Sequence, residues 1–149
     1  MSYEGFNANN AAMLLIDHQV GTMSWVHSTS FEEMKMNALM LAQTAQILKM
    51  PVVLTSSMEE YAQGPLLSEL QAILPVQFEQ RVKRFGIVNA MDDVSFAAAV
   101  KATGRKKLVI AGVTNDVCTV YPALTLVRDG FAVQVVADAG GSPTQMADD

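Results

Sequence analysis

The sequence holds one cysteine, Cys118, and its neighbours decide what that thiol can do. A lone cysteine is most often a small packing residue. Cys118 instead follows an apolar run, Leu108–Ala111, a chain-breaking Gly112 and two helix-capping residue types, Asn115 and Asp116. The pattern predicts a buried strand that hands over to a helix, with the sulfur in the first helical turn. The helix continues past Val120 and Leu124 and stops at Gly130. Unpaired N–H groups and the positive end of the helix dipole favour a thiolate there. The amides near Val117 and Cys118 are placed to receive an oxyanion, so the chemistry on offer is nucleophilic attack on a carbonyl. Asp116 opposes ionisation if its carboxylate faces the sulfur and is neutral to it if it caps the helix; the sequence is compatible with both.

Two further groups suit that chemistry. Asp17 directly follows the apolar run Ala11–Ile16. By type it is as much a turn residue as a functional one, but an aspartate beside a thiol can take its proton and return it to a leaving group. Lys83 and Arg84 end a basic stretch that is ordinarily a solvated face; one of the two can still turn inward. An arginine there orients and stabilises an anion but shuttles no proton. His18 and His27 raise a cysteine–histidine pair or a metal site. Adjacent strand residues point to opposite faces, which separates Asp17 from His18. No HExxH, CxxC or spaced histidine pair is present. No metal and no cofactor are expected, and Gly140-Gly141 is too sparse for a phosphate loop.

These residues must be positioned by the elements around them. Met1–Asn10 reads as a loose arm and Ala11–Ile16 as a strand apolar on both faces. Gln19–Thr29 reads as loop, with Gly21 as a breaker. Ser30 and Glu33 have capping-box spacing, opening a helix to about Lys49 with Met36, Leu39, Met40, Ala42, Ile47 and Leu48 inward. Val52–Leu54 is a strand ending in Thr55-Ser56-Ser57. Gly64-Pro65 opens a short helix, Leu66–Leu74, which Pro75 closes. Val76–Asn89 reads as a short extended piece and a loop. Asp92 caps a helix over Asp93–Thr103 with Phe96, Ala99 and Val100 inward, and Phe131–Ala137 is a last strand before Asp138. Such alternation predicts a mainly parallel sheet covered by helices on both faces. Ligands of such sheets sit at the carboxyl ends of the strands, where Asp17, Thr55–Ser57, Gly112–Cys118 and Asp138 all fall.

Composition narrows the partners. A chain of 149 residues suits a single domain, and 50% hydrophobic with 17% charged residues is slightly apolar for a globular protein. A net charge of −5 argues against nucleic acid and anionic membranes. No apolar run is long enough to span a bilayer, and no basic segment precedes the first apolar one. With one cysteine, no internal disulfide can form, and a cytoplasmic location is expected. The ten methionines suggest adaptable packing, some of it between copies of the chain.

Taken together, AAMLLIDHQVG, VVLTSSMEEYAQGPLLSEL, RFGIVNAMDD and KATGRKKLVIAGVTNDVCTVYPAL resemble, in order and over nearly the whole chain, the isochorismatase-like cysteine hydrolases, most of all their YcaC-type bacterial branch. The resemblance implies a Rossmann-like three-layer α/β/α sandwich over residues 1–149. It also implies a catalytic triad in which Asp17 carries the proton, Arg84 is the cation and Cys118 the nucleophile. Its spacing from Asn89-Ala90 favours Arg84 over Lys83. It implies a non-proline cis peptide at Val113–Thr114 in the oxyanion loop with Val117 and Cys118. Asn115 departs from the family, which often has threonine there, and most members have lysine in place of Arg84. The chain stops at Asp149, before the further helix, edge strand and C-terminal helices that the family implies. That is read as a truncation or as a gap that neighbouring subunits cover. The expected activity is hydrolysis of a small amide or related C–N substrate through a covalent acyl-enzyme, in a homo-oligomer. Met23, Trp25, Met58 and Asn89 are the expected pocket residues. The alternative is a non-catalytic binding or assembly protein on the same fold; a redox-sensing thiol is a weaker reading, since no second cysteine is present to resolve it.

Overall fold

The computed structural model describes residues 4–149. The start of the expected arm, Met1–Tyr3, lies outside the described residues, and Asn7–Asn10 forms a turn in which the Asn7 side chain accepts from the Asn9 and Asn10 amides. Five strands form one parallel sheet: β1 (Ala11–Ile16), β2 (Val52–Ser57), β3 (Val82–Arg84), β4 (Lys107–Gly112) and β5 (Ala132–Val135), in the order β3-β2-β1-β4-β5. The most apolar strand, β1, is central and buried at every position. Its side chains alternate between two hydrophobic layers, as a pleated strand requires. Met13 and Leu15 join Met34, Leu54 and Leu70 on one face. Ala12, Leu14 and Ile16 join Phe96, Leu108, Ile110 and Leu126 on the other. The parallel α/β architecture expected from the alternation is what the chain adopts.

The helices are α1 (Val20–Ser24), α2 (Phe31–Ile47), α3 (Ser68–Ile73), α4 (Pro75–Glu79), α5 (Val94–Ala102), α6 (Val120–Arg128) and α7 (Gln145–Asp148). Ser30 caps α2 by accepting from the Glu33 amide at 3.1 Å, as its spacing predicts. The inward face of α2 differs from expectation. Met34, Ala38, Ala42 and Ala45 are buried, while Met36, Met40, Ile47 and Leu48 are exposed. Small alanines let the helix lie close to the sheet, so the larger apolar residues end up outside. Gln19–Thr29 is not all loop, because α1 begins at Val20. Pro75 opens α4 rather than closing α3, since a missing N–H costs nothing at the first helical position. The cap of α5 is Asp93, not Asp92; its carboxylate accepts from the Phe96 amide. The last strand is shorter than Phe131–Ala137, and Asp138 falls in a 3-10 turn, Ala137–Ala139. Among the described residues no helix is long and apolar enough to cross a membrane.

Candidate active site

The carboxyl ends of β1, β3 and β4 converge. Asp17, the first residue past β1, has a positive φ of 60°, a conformation that aspartate tolerates better than most residues. Its amide donates to the Thr55 carbonyl at 3.0 Å, and its own carbonyl accepts from the Gln19 amide at 2.8 Å. The chain therefore turns sharply off the sheet with the Asp17 side chain fully buried. On β3 the two-residue period decides between the two cations: Lys83 is exposed and Arg84 is buried. Arg84 then grips Asp17 with two parallel bonds, Nη1 to Oδ1 and Nη2 to Oδ2, each 2.8 Å. Its Nη1 also reaches the Thr55 hydroxyl at 2.9 Å, and its Nε donates to the Ile87 carbonyl at 3.2 Å. Burial works against the guanidinium charge, but the Asp17 bonds and charge outweigh it and hold Arg84 above its ordinary pKa.

Cys118 comes to the same place from β4. The Val113–Thr114 peptide is cis. Asn115–Thr119 forms a π-helical turn rather than the start of an α-helix, closed by the Thr119 amide on the Thr114 carbonyl at 3.1 Å; α6 follows from Val120. Asn115 and Asp116 do not cap this turn; Thr114 precedes it, with no side-chain cap. The Val117 amide leans on the Thr114 carbonyl at 3.4 Å, which removes it from the expected oxyanion donors. The thiol also behaves differently from expectation. Burial, then the Asp17 charge and a hydrogen bond with Asp17, push Cys118 up from 9.0 to about 12. A hydrogen bond from the Thr114 backbone and the Arg84 charge pull the other way without prevailing. A short π-turn does not supply enough dipole to hold a buried thiolate beside a carboxylate.

A cavity of about 390 Å³ opens over these groups. Asp17, Arg84, Cys118, Val117, Trp25 and Met58 line it. Met23 does not: it is on the inner face of α1, 1% exposed, within the hydrophobic core. Asn89 is also elsewhere. Its Oδ1 accepts from the Met91 amide at the 3-10 turn Ala90–Asp92, and its Nδ2 donates to the Thr125 hydroxyl at 2.9 Å. His18 turns away from Asp17, with its Nε2 2.8 Å from the Ala139 carbonyl, and burial holds its pKa below the ordinary value. His27 is exposed. Among the described residues no three His, Cys, Asp or Glu side chains are grouped to hold a metal.

The sequence reading missed two loops and one side chain. Tyr61, Ala62 and Gln63 after β2, and Gly86, Ile87 and Val88 after β3, complete the lining together with Ser57, a strand-end residue already singled out. Gln19 ties the first loop at both ends. Its Nε2 donates to the Ser57 carbonyl at 2.8 Å and the Gly64 carbonyl at 2.6 Å, and its Oε1 accepts from the Ser57 amide at 2.9 Å. Gly21 lets the same loop approach, since a Cβ there would run into the Ala62 carbonyl. The available signal was position, because both loops leave the carboxyl ends of strands.

With that geometry in hand, comparison with known proteins is informative. The model of the isochorismatase domain matches residues 11–149. The chain is 43% identical over 140 residues to Probable hydrolase YcaC of Escherichia coli strain K12, covering 94% of this chain and 66% of that relative's length. The crystal structure of the Escherichia coli YcaC gene product, described as an octameric hydrolase of unknown specificity, superposes with a TM-score of 0.94 at 40% identity, over 99% of this chain and 72% of that one. YcaC from Pseudomonas aeruginosa, solved with hexane-2,5-diol and covalent acrylamide, gives a TM-score of 0.94 at 41% identity with the same coverage. On the extent of these matches, the chain belongs to the isochorismatase family.

Proposed function

We propose that this protein is a cysteine-dependent hydrolase of small amides or related C–N substrates, with Cys118, Asp17 and Arg84 as its catalytic unit. The observation that carries the reading is the buried, doubly hydrogen-bonded Asp17–Arg84 pair, set in a cavity that also holds the Cys118 thiol. Arg84 fixes the carboxylate and offsets its charge. Burial, and after it the Asp17 charge, keeps the resting sulfur protonated, and Asp17 stands ready to take its proton. As substrate binds, Asp17 removes the thiol proton while Sγ bonds to the carbonyl carbon. The oxygen's negative charge is received by the Thr114 and Cys118 amides. Collapse of the adduct breaks the C–N bond, and Asp17 passes its proton to the departing amine. Water then gives a proton to Asp17 and attacks the thioester. The C–S bond breaks, the acid leaves, and the proton returns to sulfur.

The names of the relatives agree with this reading: one is called a hydrolase, and another carries covalent acrylamide, a small electrophilic amide. Assembly into a homo-oligomer is proposed on the octameric relative and on the exposed Met36 and Met40 of α2. The test is a panel of primary amides and hydroxamates assayed with wild type and Cys118→Ala. Turnover should fall by about 10⁴-fold or more in the variant. Undiminished turnover would remove the mechanism.

A further inference from the structure

The lining of the cavity says what kind of acyl group can enter it. Among the described residues it has two charged side chains, Asp17 and Arg84, and each fully engages the other. Neither charge is left to meet a charged substrate. The rest of the wall is mostly hydrocarbon and aromatic surface: Trp25, Met58, Tyr61, Ile87, Val88 and Val117. Among the fully buried polar side-chain atoms of the lining, one has no partner. The Oε1 of Gln63 is buried without a hydrogen-bond partner, and Gln63 lines the cavity. A carboxylate or ammonium on the acyl chain would exchange water for a mostly apolar wall with no free charge to pair it, which is costly. The Glu59 carboxylate near the rim is already held by Arg81 and Ser56 and offers no free partner.

We infer that this cavity admits primary amides with compact, uncharged, apolar acyl groups and excludes those that carry a carboxylate or an amine. The inference rests on the proposed amide chemistry for its meaning, but its test has a separate readout. In the first arm, kcat/KM is measured for butyramide, succinamate and 4-aminobutanamide, which share a four-carbon acyl chain and differ in terminal charge. Butyramide should exceed each charged amide by about a hundredfold or more. Val88→Lys, at a half-exposed position of the wall, should narrow the gap for succinamate by at least about tenfold. In the second arm, Cys118 is alkylated with iodoacetamide and with iodoacetate, and the rate ratio is compared with that of glutathione. The neutral reagent should be favoured at least about tenfold more than with the free thiol. A charged amide turned over as well as butyramide, or an alkylation ratio equal to that of glutathione, would overturn the inference while leaving the hydrolase reading intact. If wild type and Cys118→Ala hydrolyse none of the three, the hydrolase reading fails for these amides, and the alkylation ratio still decides the selectivity of the cavity.

Discussion

Two arginine–carboxylate pairs flank the same short strand and teach different things. Arg84 and Asp17 lie in the floor of the cavity, with side chains 1% and 0% exposed. Arg81 and Glu59 lie near the rim at 15% and 16%, and they also join at two points, 2.7 Å and 3.2 Å. The bonding is alike and the surroundings are not. In the floor, each charge depends on the other because no water can replace it. Near the rim, solvent is close at hand, Ser56 shares Glu59, and Arg81 rests over the Phe78 ring at 4.4 Å. The floor pair shares the cavity with the thiol, where burial first and the Asp17 charge second hold the thiol pKa up. The rim pair anchors the loop that carries Met58 and Tyr61 into the cavity. Similar hydrogen bonds therefore serve the proposed chemistry in one place and support a loop in the other.

That contrast can be broken deliberately. The largest loss of stability should come from Arg84→Met, which leaves Asp17 charged, buried and alone. Chemical denaturation should show a loss of about 3–5 kcal/mol, and a loss under about 1 kcal/mol would mean that water reaches the carboxylate. Gln19→Leu comes next. It strands the Ser57 amide and the Ser57 and Gly64 carbonyls, and should cost about 2–3 kcal/mol. Because the loop it ties forms the cavity wall, KM should rise more than kcat falls. Glu59→Gln should cost least, about 1 kcal/mol or less, with turnover kept within a few-fold. The Arg81 hydrogen bond, against burial, holds the Glu59 carboxyl below its ordinary value of 4.5. Its stabilising effect is thus present above that value and lost as pH falls through the lower, folded one. The stability gap between wild type and Glu59→Gln should accordingly close in acid; a gap that is constant with pH would assign the effect to packing.

How much of this could be read from the chain follows the range of the forces involved. The strand–helix alternation and the Ser30 cap are local in origin, and the structure has them as expected. The residues by themselves left Lys83 and Arg84 open and the family spacing favoured Arg84; the strand turns Lys83 outward and Arg84 inward. The buried face of α2 misled because three alanines do the packing that large apolar residues were expected to do. α1 and α4, five residues each, are too short to show a period. The π-turn at Cys118 rests on a backbone bond with no side-chain signature. The state of the thiol was out of reach for a different reason. It depends first on burial and then on a carboxylate about a hundred residues earlier in the chain, both of which arise only on folding.

The most direct measurement is the titration of the Cys118 thiol, followed by alkylation rate against pH in wild type and Asp17→Asn. The rate in wild type should climb steadily through the alkaline range toward a midpoint of about 12. Removing the Asp17 charge should lower that midpoint and speed alkylation at pH values near the ordinary thiol pKa of about 8.5, while amide turnover falls by about 10²–10⁴-fold. A wild-type midpoint at or below 9.0, or one that ignores the loss of the carboxylate, would contradict the account of Asp17 as the group that holds and carries the proton.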